Sequence, residues 1–222
     1  MEEKQMYTLR LYQDYVPANI ECRQIESQHS ILYVLRGGAE INGEAVAADQ
    51  AVYCKDSIFI KTAEMDAVIW RWEIVREEAA NTYLEGGPVQ SKLAISRKVQ
   101  MFELTSRSKW LFRLDCIYGN LGSTGLHSHP GSGIRCLLEG NLHVRGVIGE
   151  CSDNTKTGDA WYEEGSYPII STTYGDEPAA FLRGMILPVE YDEYPDTAMW
   201  IEGEKKVQSS WKNYSQQVIM LR

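Results

Sequence analysis

Histidine is scarce in this chain: four in 222 residues, with phenylalanine no more frequent. Other absences exclude whole classes of function. No run approaches the ~18 apolar residues of a membrane-spanning helix. No cluster of Lys and Arg stands against the formal net charge of −9, and such a field repels phosphate backbones. Neither nucleic acid nor a membrane is therefore an expected partner. The opening residues "MEEKQMYTLRLYQDY" carry charges where a secretory signal needs its apolar segment. The five cysteines (Cys22, Cys54, Cys116, Cys136, Cys151) form no CxxC pair. An odd number without a signal points to free thiols in a reducing compartment, so the cytoplasm is the expected location. There is also no GxSxG, no phosphate-cradling glycine loop and no HExxH.

What is present is a succession of short apolar runs broken by Gly, Asn and Asp, which favours strands over helices. "SILYVLRG", "AVIWRWEI", "KWLFRLDCIYG", "GIRCLLEG" and "AAFLRGMILP" are the clearest. The polar stretch "REEAANTYLEGGPVQSKLAISRK", interrupted by Gly-Gly-Pro, is the best linker candidate. A repeat organises the rest. Residues 30–43, "SILYVLRGGAEING", lie over residues 133–146, "GIRCLLEGNLHVRG", matching Ile31 with Ile134, Leu35 with Leu138, Gly37 with Gly140 and Gly43 with Gly146. The expected fold class is all-β, two small barrels in tandem, each closing its own edges. The boundaries read as 1–80 for the first barrel, 81–98 for a linker and 99–222 for the second barrel with its tail. The ending "SSWKNYSQQVIMLR" is apolar enough to strap across a neighbour or to dock on its own barrel, and a homodimer is a weak expectation.

Two histidines stand one residue apart on a strand-like segment. Residues i and i+2 of a strand face the same side, so His127 and His129 project together, and neutral imidazoles so placed can share one divalent ion. His143 lies between Leu142 and Val144, which look like core, so alternation sends it outward.

The stretch "GLHSHPGSGIRCLLEGNLHVRG", residues 125–146, resembles the first motif of the cupin superfamily, and "GDAWYEEGSYP", residues 158–168, resembles the start of the second. With the repeat, the chain resembles a bicupin. The resemblance implies tandem jelly-roll barrels, a metal inside at least one of them, and His127 and His129 as its ligands. The pattern's glutamate falls on Gly133 and its last histidine on Pro168. In the N-terminal copy Gln24 and Glu26 stand in the places of the histidine pair and Ser30 in that of the glutamate. That copy reads as a degenerate, structural barrel.

Other residues must then complete the second site. Glu163 or Glu164 can approach from a neighbouring strand, with Glu163 or Tyr162 as general acid or base. Arg135, Arg183 and Trp161 are the candidate lining of a ligand pocket, and an inward arginine fork suits a carboxylate or phosphate. One reading is a protein that binds a divalent metal (Zn, Fe, Mn or Ni) and a small organic ligand, anionic or sugar-like. Its chemistry would be that of an oxygenase, isomerase or lyase. The other is a non-catalytic binding or sensing barrel that has lost its metal.

Overall fold

The computed structural model describes residues 6–24, 29–99, 109–119, 122–149, 151–174, 177–194, 196–204 and 209–221. Chain contacts divide it into two units, Met1–Val99 and Gln100–Arg222. Glu26 lies outside the described residues.

Unit 1 runs through β1 (Tyr7–Val16), β2 (Glu21–Gln24), β3 (His29–Arg36), β4 (Gly38–Ile41), β5 (Glu44–Ala47), β6 (Gln50–Lys55), β7 (Ile58–Lys61), β8 (Ala67–Arg76) and β9 (Gln90–Val99). They pair as two sheets, β6-β3-β8-β1-β9 and β2-β7-β4-β5. The alternation that built the sequence reading is visible in β2, whose Cys22 and Gln24 are buried while Glu21 and Arg23 are exposed. Between the sheets lies a core of Leu32, Val34, Ile41, Ile58, Ile60 and Ile69, drawn from both.

Unit 2 contains β10 (Lys109–Tyr118), β11 (Gly122–Ser123), β12 (His127–Ser128), β13 (Gly133–Glu139), β14 (Leu142–Gly146), β15 (Cys151–Asn154), β16 (Ala160–Glu163), β17 (Ile169–Thr173), β18 (Ala180–Pro188), a 3-10 turn at Val189–Glu193, β19 (Met199–Trp200) and β20 (Ser210–Met220). Its sheets are β16-β13-β18-β10-β20 and β15-β14-β17-β12-β19, with β11 beside β17. Apart from the added β11 and β19, the strands repeat unit 1 in order and pairing, so the resemblance of residues 30–43 to 133–146 is an architectural repeat. Even the irregularities recur. Leu35 and Leu138, matched in the overlay, both sit where the ladder to the next strand slips register. The turn glycines Gly37 and Gly140 share φ +78, and a Cβ at either would run into a carbonyl across the turn.

One stretch differs from expectation, and one alternative is decided. Residues 81–98, read as a linker, include most of β9, which pairs with β1 along its length. Its apolar Leu93 and Ile95 are only half-buried among Lys and Ser, as suits an edge strand, and that hid it in the sequence. The C-terminal tail docks on its own barrel, β20 pairing with β10 from Lys109↔Met220 to Tyr118↔Ser210.

Candidate functional site

Directly opposed residues of paired strands share a face. In unit 2 this rule gathers the polar residues. Arg135 on β13 is opposite Trp161 on β16 and Arg183 on β18, and Arg183 is opposite Asp115 on β10. One step along, Gly133 is opposite Glu163. The strand position where the motif pattern has a carboxylate thus holds no side chain, and a carboxylate enters from the neighbouring strand. The space itself is taken. A Cβ at residue 133 would lie 2.7 Å from Arg135 Nη1 and 2.8 Å from Gly184 O.

These residues meet inside the barrel around a cavity of about 100 Å³. Five polar residues of its lining, His127, His129, Arg135, Glu163 and Arg183, stand beside Asp196, Ser171 and Thr173. Phe181, Trp200 and Trp211 supply the aromatic part. All five polar residues are buried. Buried charge is tolerable only when paired, and the pairing is specific. Arg183 grips Asp115 through Nε–Oδ1 and Nη2–Oδ2, each 2.8 Å. Glu163 Oε1 accepts from Trp161 Nε1 at 2.8 Å. Arg135 Nη2 approaches Glu163 Oε2 to 2.8 Å, an ion-pair distance, but without the alignment of a hydrogen bond. Among the described residues, Arg135 Nε and Nη2 and Glu163 Oε2 have no hydrogen-bond partner. Arg135 Nε is thus left without a partner, while Arg135 Nη2 and Glu163 Oε2 are matched only to each other, as an ion pair.

The histidines are fixed through one nitrogen each. His127 Nδ1 is 2.9 Å from Gly125 O and His129 Nδ1 is 3.1 Å from Thr197 O. A carbonyl can only accept, so Nδ1 carries the hydrogen and the Nε2 lone pair is left for another partner. Burial lowers the pKa of His127. It lowers that of His129 well below the usual value, helped by the positive charges of Arg135 and Arg183. Both imidazoles are neutral near pH 7.

A divalent metal, which the histidine pair implies, would find the right donors: two Nε2 lone pairs, their other nitrogens tied to carbonyls, and Glu163 Oε2, 3.6 Å from His129 Nε2. The donor chemistry fits. Among the described residues no three His, Cys, Asp or Glu side chains are gathered tightly enough to form a closed metal cluster, and Arg135 already stands against the carboxylate.

Sequence reasoning placed His127, His129, Glu163, Arg135 and Arg183 around one site, and they line one cavity. Two residues fall elsewhere. Tyr162 alternates to the face of β16 opposite Glu163 and does not line the cavity, so its assignment as acid or base is corrected. Trp161 is buried in the apolar core beside Phe181 and acts on the site only through its bond to Glu163. His143 sits on the outer face, bonded to Asp153. Four participants were missed: Asp115, Phe181, Trp200 and Trp211. The Trp200 ring packs tilted against His127 with ring centres 5.0 Å apart, and β19 pairs it with that residue.

Unit 1 fills the corresponding space with an ion-pair network centred on Arg71. Gln24, in the place of His127, accepts from Arg71 Nη1 at 2.6 Å. Arg71 also pairs with Asp14 (2.9 Å) and with Glu73. Arg71 has the position of Arg183 in its barrel: each is two strand residues before the partner of Ser30 or Gly133, namely Glu73 or Met185.

No protein-family model matches the chain, and no curated protein matches it. Solved structures do. A salicylate 1,2-dioxygenase variant from Pseudoaminobacter salicylatoxidans superposes with a TM-score of 0.51 at 11% identity, over 93% of this chain and 74% of that one. A second structure of salicylate 1,2-dioxygenase, from Pseudaminobacter salicylatoxidans, gives 0.50 at 11% identity, over 93% and 75%. The fold is that of a two-barrel cupin. A cupin 2 conserved barrel domain protein from Leptotrichia buccalis is also similar, at TM-score 0.44 and 15% identity over 85% of this chain and 91% of that one. Within this cupin fold the second barrel carries the polar cavity, and the corresponding place in the first is crossed by the Arg71 ion pairs.

Proposed function

We propose that the second barrel binds a small organic acid, with a divalent metal at His127, His129 and Glu163. The observation that carries the reading is the fully buried Arg135, whose Nε lacks an acceptor and whose Nη2 meets only Glu163, beside a cavity with aromatic walls. A guanidinium fork offers two parallel donors to one carboxylate. The neutral imidazoles orient the rest of the ligand, and Phe181, Trp200 and Trp211 bury its apolar body. Salicylate, the acid in the name of both dioxygenases, belongs to this chemical class. A bound metal would supply a Lewis-acidic or redox point next to the ligand. Glu163 stands where it can take or hold a proton at Oε2. A metal-free binding barrel is the second reading, favoured by the ungathered donors and by the grip of Arg135 on Glu163.

The test is elemental analysis of protein purified without an affinity metal, beside a variant with His127 and His129 changed to Ala. It is joined to thermal-shift titration with a panel of small carboxylic acids. Near-stoichiometric metal in the parent alone supports the metal-dependent reading. Acid binding without metal in either protein supports the metal-free one. Arg135→Lys, which keeps the charge and loses the fork, is expected to weaken acid binding about 10- to 100-fold, equivalent to about 1.4–2.7 kcal/mol. A panel in which no acid shifts the melting midpoint would sink both.

A further inference from the structure

A second group of reactive side chains lies on the outer face of the second barrel. β14 and β15 pair with His143 opposite Asp153 and Arg145 opposite Cys151, which puts all four side chains on one face. His143 Nδ1 is 2.5 Å from Asp153 Oδ1, and His143 Nε2 is 3.7 Å from Cys151 Sγ. The carboxylate fixes the proton on Nδ1 and leaves Nε2 as the acceptor for the thiol hydrogen. Cys151 is exposed, and the other four cysteines are buried. Next to the thiol runs a groove of about 420 Å³ lined by His143, Arg145, Asp153, Ile170, Thr172 and Tyr174. Nothing in the interior site requires this arrangement.

We propose that Cys151, His143 and Asp153 form a thiol-exchange site for small anionic disulfides, with Arg145 as the recognition charge. His143 Nε2 takes the thiol proton, and the Cys151 sulfur attacks one sulfur of the incoming disulfide. The new S–S bond joins Cys151 to half of that molecule. The old S–S bond breaks, its electron pair leaves with the other half as a thiolate, and His143 returns the proton to it. One disulfide is consumed and one mixed disulfide formed, so no further oxidant is needed. The anionic half retained on Cys151 lies against Arg145, its strand partner. The buried thiols are spared because the thiolate is the attacking form. Burial raises Cys22 to about 11 and Cys54 to about 11.

The experiment treats the full chain with glutathione disulfide at neutral pH and follows the mixed disulfide by intact mass and peptide mapping. One adduct, on Cys151, is expected. His143→Ala and Asp153→Asn should each slow its formation, the former by about tenfold. Arg145→Gln should slow reaction with glutathione disulfide while leaving reaction with neutral hydroxyethyl disulfide unchanged. All three positions are on the outer face, and matched melting curves check that the variants fold. Equal rates for the parent and His143→Ala would overturn the site and leave an ordinary exposed thiol. An Arg145→Gln effect of the same size on both disulfides would overturn the anion recognition. Adducts on several cysteines would overturn the selectivity.

Discussion

Arg183 and Asp115 face each other across the β10–β18 pair and meet through two parallel contacts of 2.8 Å, both side chains almost fully buried. This pair holds Arg183 at the cavity wall, with Thr197 Oγ1 a further and longer contact at 3.4 Å. Removing one partner leaves a buried charge without its counter-ion, at a cost of about 3–5 kcal/mol. Asp115→Asn should therefore lower the urea midpoint by that equivalent. The double change Asp115→Leu with Arg183→Met should cost less than the sum of its single changes, because no lone charge remains. Additive losses would show that the two residues do not act as a pair.

Acid should weaken the fold through the histidine pair. In the unfolded chain a histidine takes up its proton near pH 6.5, while His127 and His129 hold out to lower pH in the barrel. Below pH 6.5 the unfolded state thus binds more protons than the folded one, and stability falls as pH falls. The loss reaches about 1.4 kcal/mol per pH unit for each histidine, until its folded pKa is passed. Above pH 6.5 both states are neutral at these residues and the contribution is flat. Denaturation midpoints at pH 7.5 and 5.5 measure the slope. A variant with both histidines changed to Asn should show a smaller one, and an unchanged slope would remove the pair as its source.

The repeat makes a paired prediction. Gly37 and Gly140 have the same positive φ, and an added Cβ would lie 2.0 Å from Asp66 O in one barrel and 2.6 Å from Pro178 O in the other. Gly37→Ala and Gly140→Ala should each destabilise by about 1–3 kcal/mol, from backbone strain plus the clash. Chemical denaturation of the two variants checks it. A neutral effect at either position would mean that its turn relaxes, and that the two turns are not equivalent.

Much of this was legible because it is local. The glycine turns, the shared face of His127 and His129, and the outward turn of His143 follow from spacing alone. Arg135 and Arg183 announced themselves as charges inside apolar strands. What stayed hidden depends on which strands become neighbours. Asp115 is 68 positions from Arg183, and Trp200 reaches His127 through a two-residue strand that no periodicity marks. Strand parity puts Trp161 and Glu163 on one face of β16 and Tyr162 on the other. Over four residues it cannot say which face is the cavity until Glu163 is seen opposite Gly133.

That last opposition carries the final prediction. A natural attempt to restore the missing motif glutamate is Gly133→Glu, and the structure argues against it. The first atom of any side chain there would meet Arg135 Nη1 at 2.7 Å, Gly184 O at 2.8 Å and Met185 Cγ at 2.8 Å. The arginine and the methionine can move, but the carbonyl of Gly184 belongs to the β13–β18 ladder and cannot without breaking it. Gly133→Ala should then cost about 1–3 kcal/mol from overpacking alone. Gly133→Glu should cost more, since it also sets a second carboxylate beside Glu163. Thermal denaturation ranks the three proteins, and elemental analysis should find no more metal in the Glu variant than in the parent. A Glu variant that is as stable as the parent and richer in metal would mean that Arg135 yields its place readily, and that the guanidinium is not what occupies the position of the lost ligand.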